Sequence, residues 1–394
     1  MVYPLETNSN LALCQVIADR ITETSQRRIT FADFMDLVLY HPEHGYYSKK
    51  AVSLGKQGDF FTSVHLGADF GELLAIQFAQ MWEILGRPVP FSLVEMGAGQ
   101  GLLALDILHF LRERCLDFFP DLDYIIVEKS SALRQQQQQR LQGFPVRWCN
   151  IEELPSQSIT GCFFSNELVD ALPVHQFVLE QGQLQEIYVT TKQNLNIEFL
   201  EVIGDPSVPQ LEQYFDLIDI DLKTYPDGYR SEVNLAALPW LSQVADRLQR
   251  GYLLTIDYGY SASHYYNPRR TQGTLQCYYQ HRHHNNPYVN IGQQDITAHV
   301  DFTALEKWGE RCGLNKVGFT QQGLFLMMLG LGDRIAALSH TKQPLSDLLH
   351  RRDALHQLAD PLGLGGFGVL VQSKGLNATE TQQVLKGLSV PEKI

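Results

Sequence analysis

The sequence lacks long apolar runs, a basic stretch and closely spaced cysteine pairs. Its longest apolar run, Leu324–Leu331, is far short of the roughly 20 residues that span a bilayer, so we expect no stable membrane insertion. The formal net charge is −13 over 394 residues. Because no basic stripe offsets the acids, we expect no nucleic-acid partner. None of the six cysteines belongs to a Cys-x-x-Cys pair, a pattern typical of buried thiols in a reducing compartment.

Targeting and metal signals are also missing. The first residues, Met1 to Glu6, form neither a signal peptide nor an arginine-rich transit segment, so we expect a cytoplasmic protein. The cluster His281, His283 and His284 has no cysteine or carboxylate at ligand spacing, so no metal site is predicted. His281 is instead a candidate group on the substrate side.

The most informative motif that is present lies at residues 93–101, Leu-Val-Glu-Met-Gly-Ala-Gly-Gln-Gly. An apolar strand at 91–95 runs into Gly97, Gly99 and Gly101, and the apolar spacing from Leu102 onward predicts a helix. Glycines in such a strand-to-helix turn allow positive φ angles and let a ligand approach the backbone beside free N–H donors. The motif therefore predicts a cofactor site.

Two acids separate the two cofactor classes that use this geometry. Glu95, just before the turn, would repel a dinucleotide pyrophosphate about 4 Å away by about 4 kcal/mol at an effective dielectric near 20. S-adenosylmethionine carries positive groups instead, although strand alternation can also point Glu95 away from the ligand. Glu128 closes the next predicted strand, 124–128, where a carboxylate can accept both ribose hydroxyls of either cofactor. These features favour S-adenosylmethionine over a dinucleotide.

Alternating strands and helices predict the fold class. Strands at 91–95, 124–128, 145–149 and 160–165 alternate with helices at 101–114 and 130–142, which indicates an α/β, doubly wound, mostly parallel sheet. The glutamines at 135–139 fit a solvated face of the second helix. We expect an N-terminal helical cap over 1–88, a core over 89–375 and a tail over 376–394. Two insertions interrupt the core, a β-meander at about 176–230 and a Tyr- and His-rich substrate lid at about 258–300.

Candidate catalytic residues follow two later strands. Asn166, Glu167 and Asp170 come after the strand at 160–165, and on one helical turn Glu167 and Asp170 would direct both carboxylates to one side. Such a pair can grip a planar guanidinium, whereas Asn166 and Asp170 can alternatively cap a short helix. Asp257 ends another strand and is a third candidate acid.

An earlier segment can also reach the site. Asp59 and Thr62, within Gly58-Asp-Phe-Phe-Thr-Ser63, can cap the following helix or contact the amino-acid end of the cofactor.

Taken together, seven ordered motifs resemble the MidA family of class I S-adenosylmethionine-dependent methyltransferases. The match runs from about residue 25 to residue 375, and its motifs are His41-Pro-x-x-Gly-Tyr-Tyr47, Gly58-Asp-Phe-Phe-Thr-Ser63, Glu95-x-Gly-x-Gly-x-Gly101, Asn166-Glu-Leu-Val-Asp-Ala-Leu-Pro173, Asp257-Tyr-Gly259, Gly273-Thr-Leu275 and Asp295-Ile-Thr-Ala-His-Val-Asp-Phe302.

The resemblance implies a Rossmann-like, seven-stranded core with Gly97, Gly99 and Gly101 against S-adenosylmethionine and Glu128 on its ribose. It also implies symmetric arginine dimethylation of a protein substrate, the 49 kDa-type subunit of a complex I-like enzyme, in support of assembly. From the sequence, the cofactor contacts are Glu95, Gly97, Gly99, Gly101, Glu128, Asp59, Thr62 and Asn166, and the catalytic candidates are Glu167, Asp170, Asp257 and His281. A non-catalytic assembly factor and a small-molecule methyltransferase are the alternatives.

Overall fold

The computed structural model describes residues 2–4, 8–49, 62–193, 197–280, 282–340 and 344–389. Within these ranges the strands are β1 (Val2–Pro4), β2 (Ile29–Thr30), β3 (Phe91–Met96), β4 (Leu122–Val127), β5 (Val146–Cys149), β6 (Ile159–Asn166), β7 (His175–Glu180), β8 (Gln183–Gln193), β9 (Ile197–Gly204), β10 (Arg230–Val233), β11 (Leu248–Asp257), β12 (Gly259–Tyr260), β13 (Gln276–Tyr279), β14 (Arg282–His284), β15 (Asp295–Thr297), β16 (Val300–Asp301), β17 (Asn315–Gln321) and β18 (Gly368–Lys374).

The α-helices in the same ranges are α1 (Leu11–Glu23), α2 (Phe31–Tyr40), α3 (Tyr46–Lys49), α4 (Asp69–Ile84), α5 (Leu102–Arg114), α6 (Ser131–Arg140), α7 (Gln210–Ile218), α8 (Ala237–Arg247), α9 (Ala262–Tyr265), α10 (Phe302–Arg311), α11 (Gln322–Met328), α12 (Leu331–Ala337), α13 (Leu345–Ala359) and α14 (Ala378–Thr381). Within the described part of the chain, none of them has the length and apolar character that a bilayer crossing requires.

These elements form two units. The parallel-sheet unit comprises residues 61–168, 241–258 and 309–394, and the antiparallel unit comprises residues 1–60, 169–240 and 259–308. The predicted boundaries at residues 88 and 375 stay a prediction.

The parallel-sheet unit contains a seven-stranded sheet in the order β17-β18-β11-β6-β3-β4-β5. Strands β11, β6, β3, β4 and β5 are parallel neighbours, and β18 runs antiparallel to both β11 and β17. Every residue of β3 is buried, as expected for a central strand covered on both faces. The chain runs from β3 outward to β4 and β5 on one side and then returns to β6 on the other side of β3, so the switch point of the sheet lies beside β3. The predicted α/β, doubly wound fold is confirmed.

Helices α4 and α5 cover one face of this sheet. The buried face of α5 repeats at Leu103, Ile107 and Leu111, the spacing of a helix that packs along one stripe. These side chains join Phe70 and Leu74 of α4 in the hydrophobic core. The packing holds the N-terminus of α5, and with it the turn after β3, at the carboxyl edge of the sheet.

The antiparallel unit is built on a six-stranded sheet in which β1, β9, β8, β7 and β10 are successive neighbours and β2 pairs with β8. Helices α1 and α2 bury their apolar faces in the core of this unit. A capping box between Thr30 and Asp33 begins α2, satisfying donors that a helix N-terminus leaves open. Two smaller sheets, β12-β16 and β14-β13-β15, carry the chain after residue 258.

Candidate active site

The turn between β3 and α5 has the backbone that its three glycines predict. Gly97, Gly99 and Gly101 have φ angles of 70°, 53° and 74°, values that an L side chain rarely adopts. The Gly97 N–H donates to the carbonyl of Val127 at the end of β4, 3.0 Å away. This bond ties the glycine turn to the neighbouring strand.

The three glycines have different reasons to lack a side chain. A Cβ at Gly97 would lie 2.7 Å from Leu168 Cδ1, and one at Gly101 would lie 3.3 Å from Gln137 Cγ. A Cβ at Gly99 would meet no heavy atom within 4 Å. Gly97 and Gly101 therefore allow protein packing, whereas Gly99 leaves open space next to its backbone.

Glu128 follows β4 and is largely buried. Its Oε1 accepts from the Ser130 N–H at 2.9 Å, and its Oε2 accepts from Gln137 Nε2 at 3.1 Å. Burial raises the pKa of Glu128, and these two hydrogen bonds act against the rise. The Lys129 N–H also donates to this carboxylate. Because a carboxylate has about four lone-pair sites, an acceptor position remains for a ligand hydroxyl.

Gln137 is a residue whose role the sequence did not reveal. It is fully buried, and its Nε2 also donates to the Gly99 carbonyl at 2.8 Å while its Oε1 accepts from Trp148 Nε1 at 3.0 Å. One amide thus joins the glycine turn, Glu128 and β5. The prediction of a solvated face for residues 135–139 is wrong at this position. The one available signal was the helical phase, since Gln137 is four residues from the buried Leu133.

Glu95 is buried in the sheet rather than exposed above it. Its Oε2 accepts from the Tyr124 hydroxyl at 2.7 Å. Burial raises the pKa of Glu95 to about 7, the Tyr124 hydrogen bond opposes the rise, and the charge of Glu128 adds to it. A contact between Glu95 and the cofactor stays a prediction.

Polar groups gather where β6 and β11 end side by side. Asn166 is in register with Ile256, and the Glu167 N–H donates to the Ile256 carbonyl at 2.9 Å. Asn166 Nδ2 donates to Glu167 Oε1 at 3.1 Å. Asp257 is fully buried, and its Oδ1 accepts from the Tyr258 N–H.

The conformation of Glu167 is unusual for a residue other than glycine. Its φ is 51°, in a region that costs such a residue of order 1 kcal/mol and that recurs at functional sites. Glu167 Oε2, Asn166 Oδ1 and Ser165 Oγ are all buried at this edge. Among the described residues, Asn166 Oδ1 and Ser165 Oγ have no hydrogen-bond partner.

The predicted helical turn carrying Glu167 and Asp170 does not form. Strand β6 continues through Asn166, and residues 167–173 contain only bends and a turn in which Leu172 N–H donates to the Val169 carbonyl. The left-handed Glu167 ends the strand without starting a helix. Asp170 belongs to the antiparallel unit, where it is buried and its carbonyl accepts from the Ala298 N–H at 2.9 Å.

The segment before α4 contributes Thr62 and a residue not predicted, His65. The Thr62 hydroxyl lies 2.9 Å from His65 Nδ1. Burial and then the positive charge of Arg140 lower the pKa of His65. Arg140 itself donates to the Gln100 carbonyl in the glycine turn at 2.7 Å. Thr62 is the N-cap residue of a short 3₁₀ turn at Ser63–His65, and its contact with His65 lies within that turn. Asp59 and His281 lie outside the described residues.

The sheet order, the glycine turn at its switch point and the acid at the tip of the adjacent strand define a class I S-adenosylmethionine-dependent methyltransferase. The residues present fit this cofactor, because Gly99 leaves space at the turn and Glu128 keeps an acceptor position. A family described as "Putative S-adenosyl-L-methionine-dependent methyltransferase" matches residues 73–320. The chain belongs to this family.

Individual proteins agree with the family. The structure of a COG1565 superfamily member from Burkholderia thailandensis bound to S-adenosyl-homocysteine superposes with a TM-score of 0.82 at 30% identity, covering 95% of this chain and 94% of that one. The protein arginine methyltransferase NDUFAF7 homolog of Drosophila melanogaster is 30% identical over 86% of this chain and 79% of its own length. The human NDUFAF7 is 26% identical over 79% and 72%.

These comparisons correct one expectation. Both NDUFAF7 proteins are named as mitochondrial, which contradicts the cytoplasmic location predicted from the N-terminal residues.

Proposed function

We propose that this methyltransferase is a protein arginine N-methyltransferase. The single observation that carries the proposal is the pair of carboxylates at adjacent strand ends, Glu167 after β6 and Asp257 at the end of β11. The names of the Drosophila and human relatives support the same acceptor. From the family resemblance we further propose symmetric dimethylation of a complex I-type subunit, the 49 kDa type, in support of assembly.

The cofactor supplies an electrophilic methyl group on a sulfonium. We propose that Gly97, Gly99 and Gly101 hold it along the turn and that Glu128 accepts its ribose hydroxyls. Asn166, whose buried Oδ1 has no partner among the described residues, is proposed to contact it as well. Roles for Glu95, Thr62 and Asp59 at the cofactor stay predictions.

Glu167 is proposed to orient the acceptor. An arginine guanidinium is protonated near neutral pH. Carboxylate oxygens accept from the N–H donors along the edge of its plane. Asn166 and the bond to the Ile256 carbonyl hold Glu167 in place, so its carboxylate needs little reorganisation to bind. Hydrogen bonds to one side of the guanidinium would favour a lone pair on the nitrogen that attacks.

The released proton needs an acceptor. We propose Asp257 for this role, because it is a carboxylate at the strand end next to Glu167 and a general base must be within reach of the proton it removes. Asp170 and His281 stay predicted catalytic residues.

Transfer of tritium from S-adenosyl-[methyl-³H]methionine tests the proposal. Purified protein is incubated with a lysate of cells that lack it, and labelled protein is hydrolysed to amino acids. We expect label in symmetric dimethylarginine on one protein band. Label in small molecules would identify a small-molecule methyltransferase instead. Absence of label despite measurable cofactor binding would identify a non-catalytic assembly factor.

A further inference from the structure

The antiparallel unit contains a cavity that the proposed mechanism does not use. Its volume is about 440 Å³, and all its lining residues come from the segment 260–299. Arg270, His283 and Asn285 line it together with the aromatic Tyr260 and with His299. Among the described residues, the lining includes no aspartate or glutamate, although the chain as a whole has a net charge of −13.

Hydrogen-bond donors in this cavity remain available for a ligand. Arg270 Nη1 donates to the carbonyls of His264 and Tyr265 at 3.1 Å each. Its Nε and Nη2 have no hydrogen-bond partner among the described residues. The side chains of His283 and Asn285, which are both exposed, likewise have no hydrogen-bond partner among them. A guanidinium, an imidazole and a carboxamide that face one space can together bind an anion.

The arginine is held in position by an aromatic wall. The Arg270 guanidinium lies over the Tyr260 ring, 4.6 Å from its centroid, and the His299 ring stacks on Tyr260 at 5.0 Å. Burial, followed by the charge of Arg270, lowers the pKa of His299 to about 4, so at neutral pH His299 is uncharged. Of the lining residues that the structure describes, Arg270 is therefore the one with a permanent charge.

A buried carboxylate outside the lining, that of Glu232, is hydrogen-bonded by residues that line the cavity. Glu232 is almost fully buried, and it accepts from the N–H groups of Thr274 and Leu275 and from the Thr274 hydroxyl, at 2.8, 3.4 and 3.1 Å. A Cβ at Gly273 would lie 2.1 Å from Glu232 Oε1. Glu232 therefore fixes the backbone of residues 273–275 and is not itself among the described residues of the lining.

The cavity also borders a strand edge. His283 lies on β14, which pairs with β13 alone among the described residues. An extended peptide can add to such an edge through main-chain hydrogen bonds while its side chains enter a neighbouring pocket.

We propose that this cavity binds a glutamate or aspartate side chain of the protein substrate, so that the preferred acceptor is a polypeptide that carries acidic residues. The inference rests on the proposed function only in taking a polypeptide as the acceptor. A carboxylate matches one fixed cation and a set of neutral donors. A phosphate group, which carries more charge, usually has several cationic partners.

Peptide binding to the full-length protein tests the proposal. Two fluorescein-labelled peptides carry a central arginine flanked by alternating alanine and glutamate, or alanine and glutamine. We expect the glutamate peptide to bind about tenfold more tightly, the order of one charge-assisted contact, despite the overall negative charge of the protein.

Two pairs of variants locate the effect. His283→Gln should reduce the preference for the glutamate peptide to about threefold, because it replaces one of the donors that line the cavity. The fold should tolerate this change, since His283 is exposed and has no described hydrogen bond. Arg270→Met should abolish it. The matched controls are Arg282→Gln and Arg269→Met, each of which removes a neighbouring positive charge that does not line the cavity. Circular dichroism confirms the fold of each variant, and the His283 pair carries the test if Arg270→Met fails to fold.

Each outcome decides the question. Equal affinity for the two peptides, or a preference that survives the cavity variants, overturns the proposal. Competition by inorganic pyrophosphate that is lost in His283→Gln, without any glutamate preference, would assign the cavity to a phosphate ligand. A peptide pair with alanine in place of arginine should keep the preference, so acidic-residue binding is measured independently of whether arginine is methylated.

Discussion

Replacing Gln137 should weaken cofactor binding, although we propose no cofactor contact for its side chain. Gln137→Leu removes three hydrogen bonds, to the Gly99 carbonyl at 2.8 Å, to Glu128 Oε2 at 3.1 Å and from Trp148 Nε1 at 3.0 Å. Two neutral bonds at about 1 kcal/mol each and one to a carboxylate at about 2 kcal/mol give an upper estimate of about 4 kcal/mol. Since Trp148 is only half-buried, we expect the free energy of unfolding to fall by about 3 kcal/mol.

The effect on binding follows from Glu128. Without Gln137, Oε2 loses a donor that orients it, and a hydrogen bond that lowers the pKa of Glu128 is lost. We expect the Kd for S-adenosylhomocysteine, measured by calorimetry, to rise at least about tenfold, which corresponds to about 1.4 kcal/mol. The deficit should grow as the pH falls, because a protonated Glu128 loses acceptor capacity.

The adjacent glutamine provides the control. Gln138 lies on the same helix but is exposed, so Gln138→Leu should change stability by less than about 0.5 kcal/mol and leave the Kd unaltered. Equal cofactor affinity in the two variants would refute the reasoning, because it would mean that the glycine turn and Glu128 keep their geometry without the amide.

Three further changes separate binding, titration and packing. Gly99→Ala and Gly143→Ala both place a side chain at positive φ in open space, so each should lower the free energy of unfolding by about 1 kcal/mol and Tm similarly. Only Gly99→Ala should weaken S-adenosylhomocysteine binding, and equal losses of binding in the two variants would show that Gly99 does not belong to the site. Glu95 has a folded pKa of about 7 against an ordinary 4.5, so the folded protein holds its proton longer than the unfolded chain, and stability should fall as pH rises from about 4.5 to 7. Glu95→Gln should flatten that slope in urea titrations, and an unchanged slope would contradict the assignment. Arg334→Met breaks partly buried ion pairs to two carboxylates of α4 and should lower the free energy of unfolding by about 1–3 kcal/mol. Arg352→Met, at an exposed pair, should lower it by at most about 0.5 kcal/mol. A loss in Arg334→Met as small as that in Arg352→Met would show that the α4 ion pairs contribute little.

The sequence predicted those strands and turns whose conformation depends on neighbouring residues along the chain. The strand at residues 91–95 and the glycines after it could be predicted because a buried parallel strand is continuously apolar and a left-handed turn favours glycine. The place of Glu128 directly after β4 was predicted for the same reason, since it depends only on where one strand ends. The fold class, a doubly wound and mostly parallel sheet, followed from the alternation of strands and helices.

Tertiary contacts account for what the sequence could not predict. Gln137 sits in a run of five identical residues, and only the packing of α6 on the turn distinguishes it from its neighbours. The segment 166–173 carries plausible helix caps, yet pairing of Asn166 with β11 extends the strand and the left-handed Glu167 ends it. His65 acquires its surroundings from α5 and from Arg140, which are distant in sequence.

The most direct test of the account measures methyl transfer and cofactor binding on the same preparation of Glu167→Gln. Glu152→Gln, at an exposed acid of the same unit, is the matched control. If Glu167 orients an arginine acceptor, its amide variant should lose transfer to arginine by about 100-fold or more while its Kd for S-adenosylhomocysteine stays within about threefold of the parent. Unchanged transfer, or loss of transfer together with cofactor binding, would contradict the account.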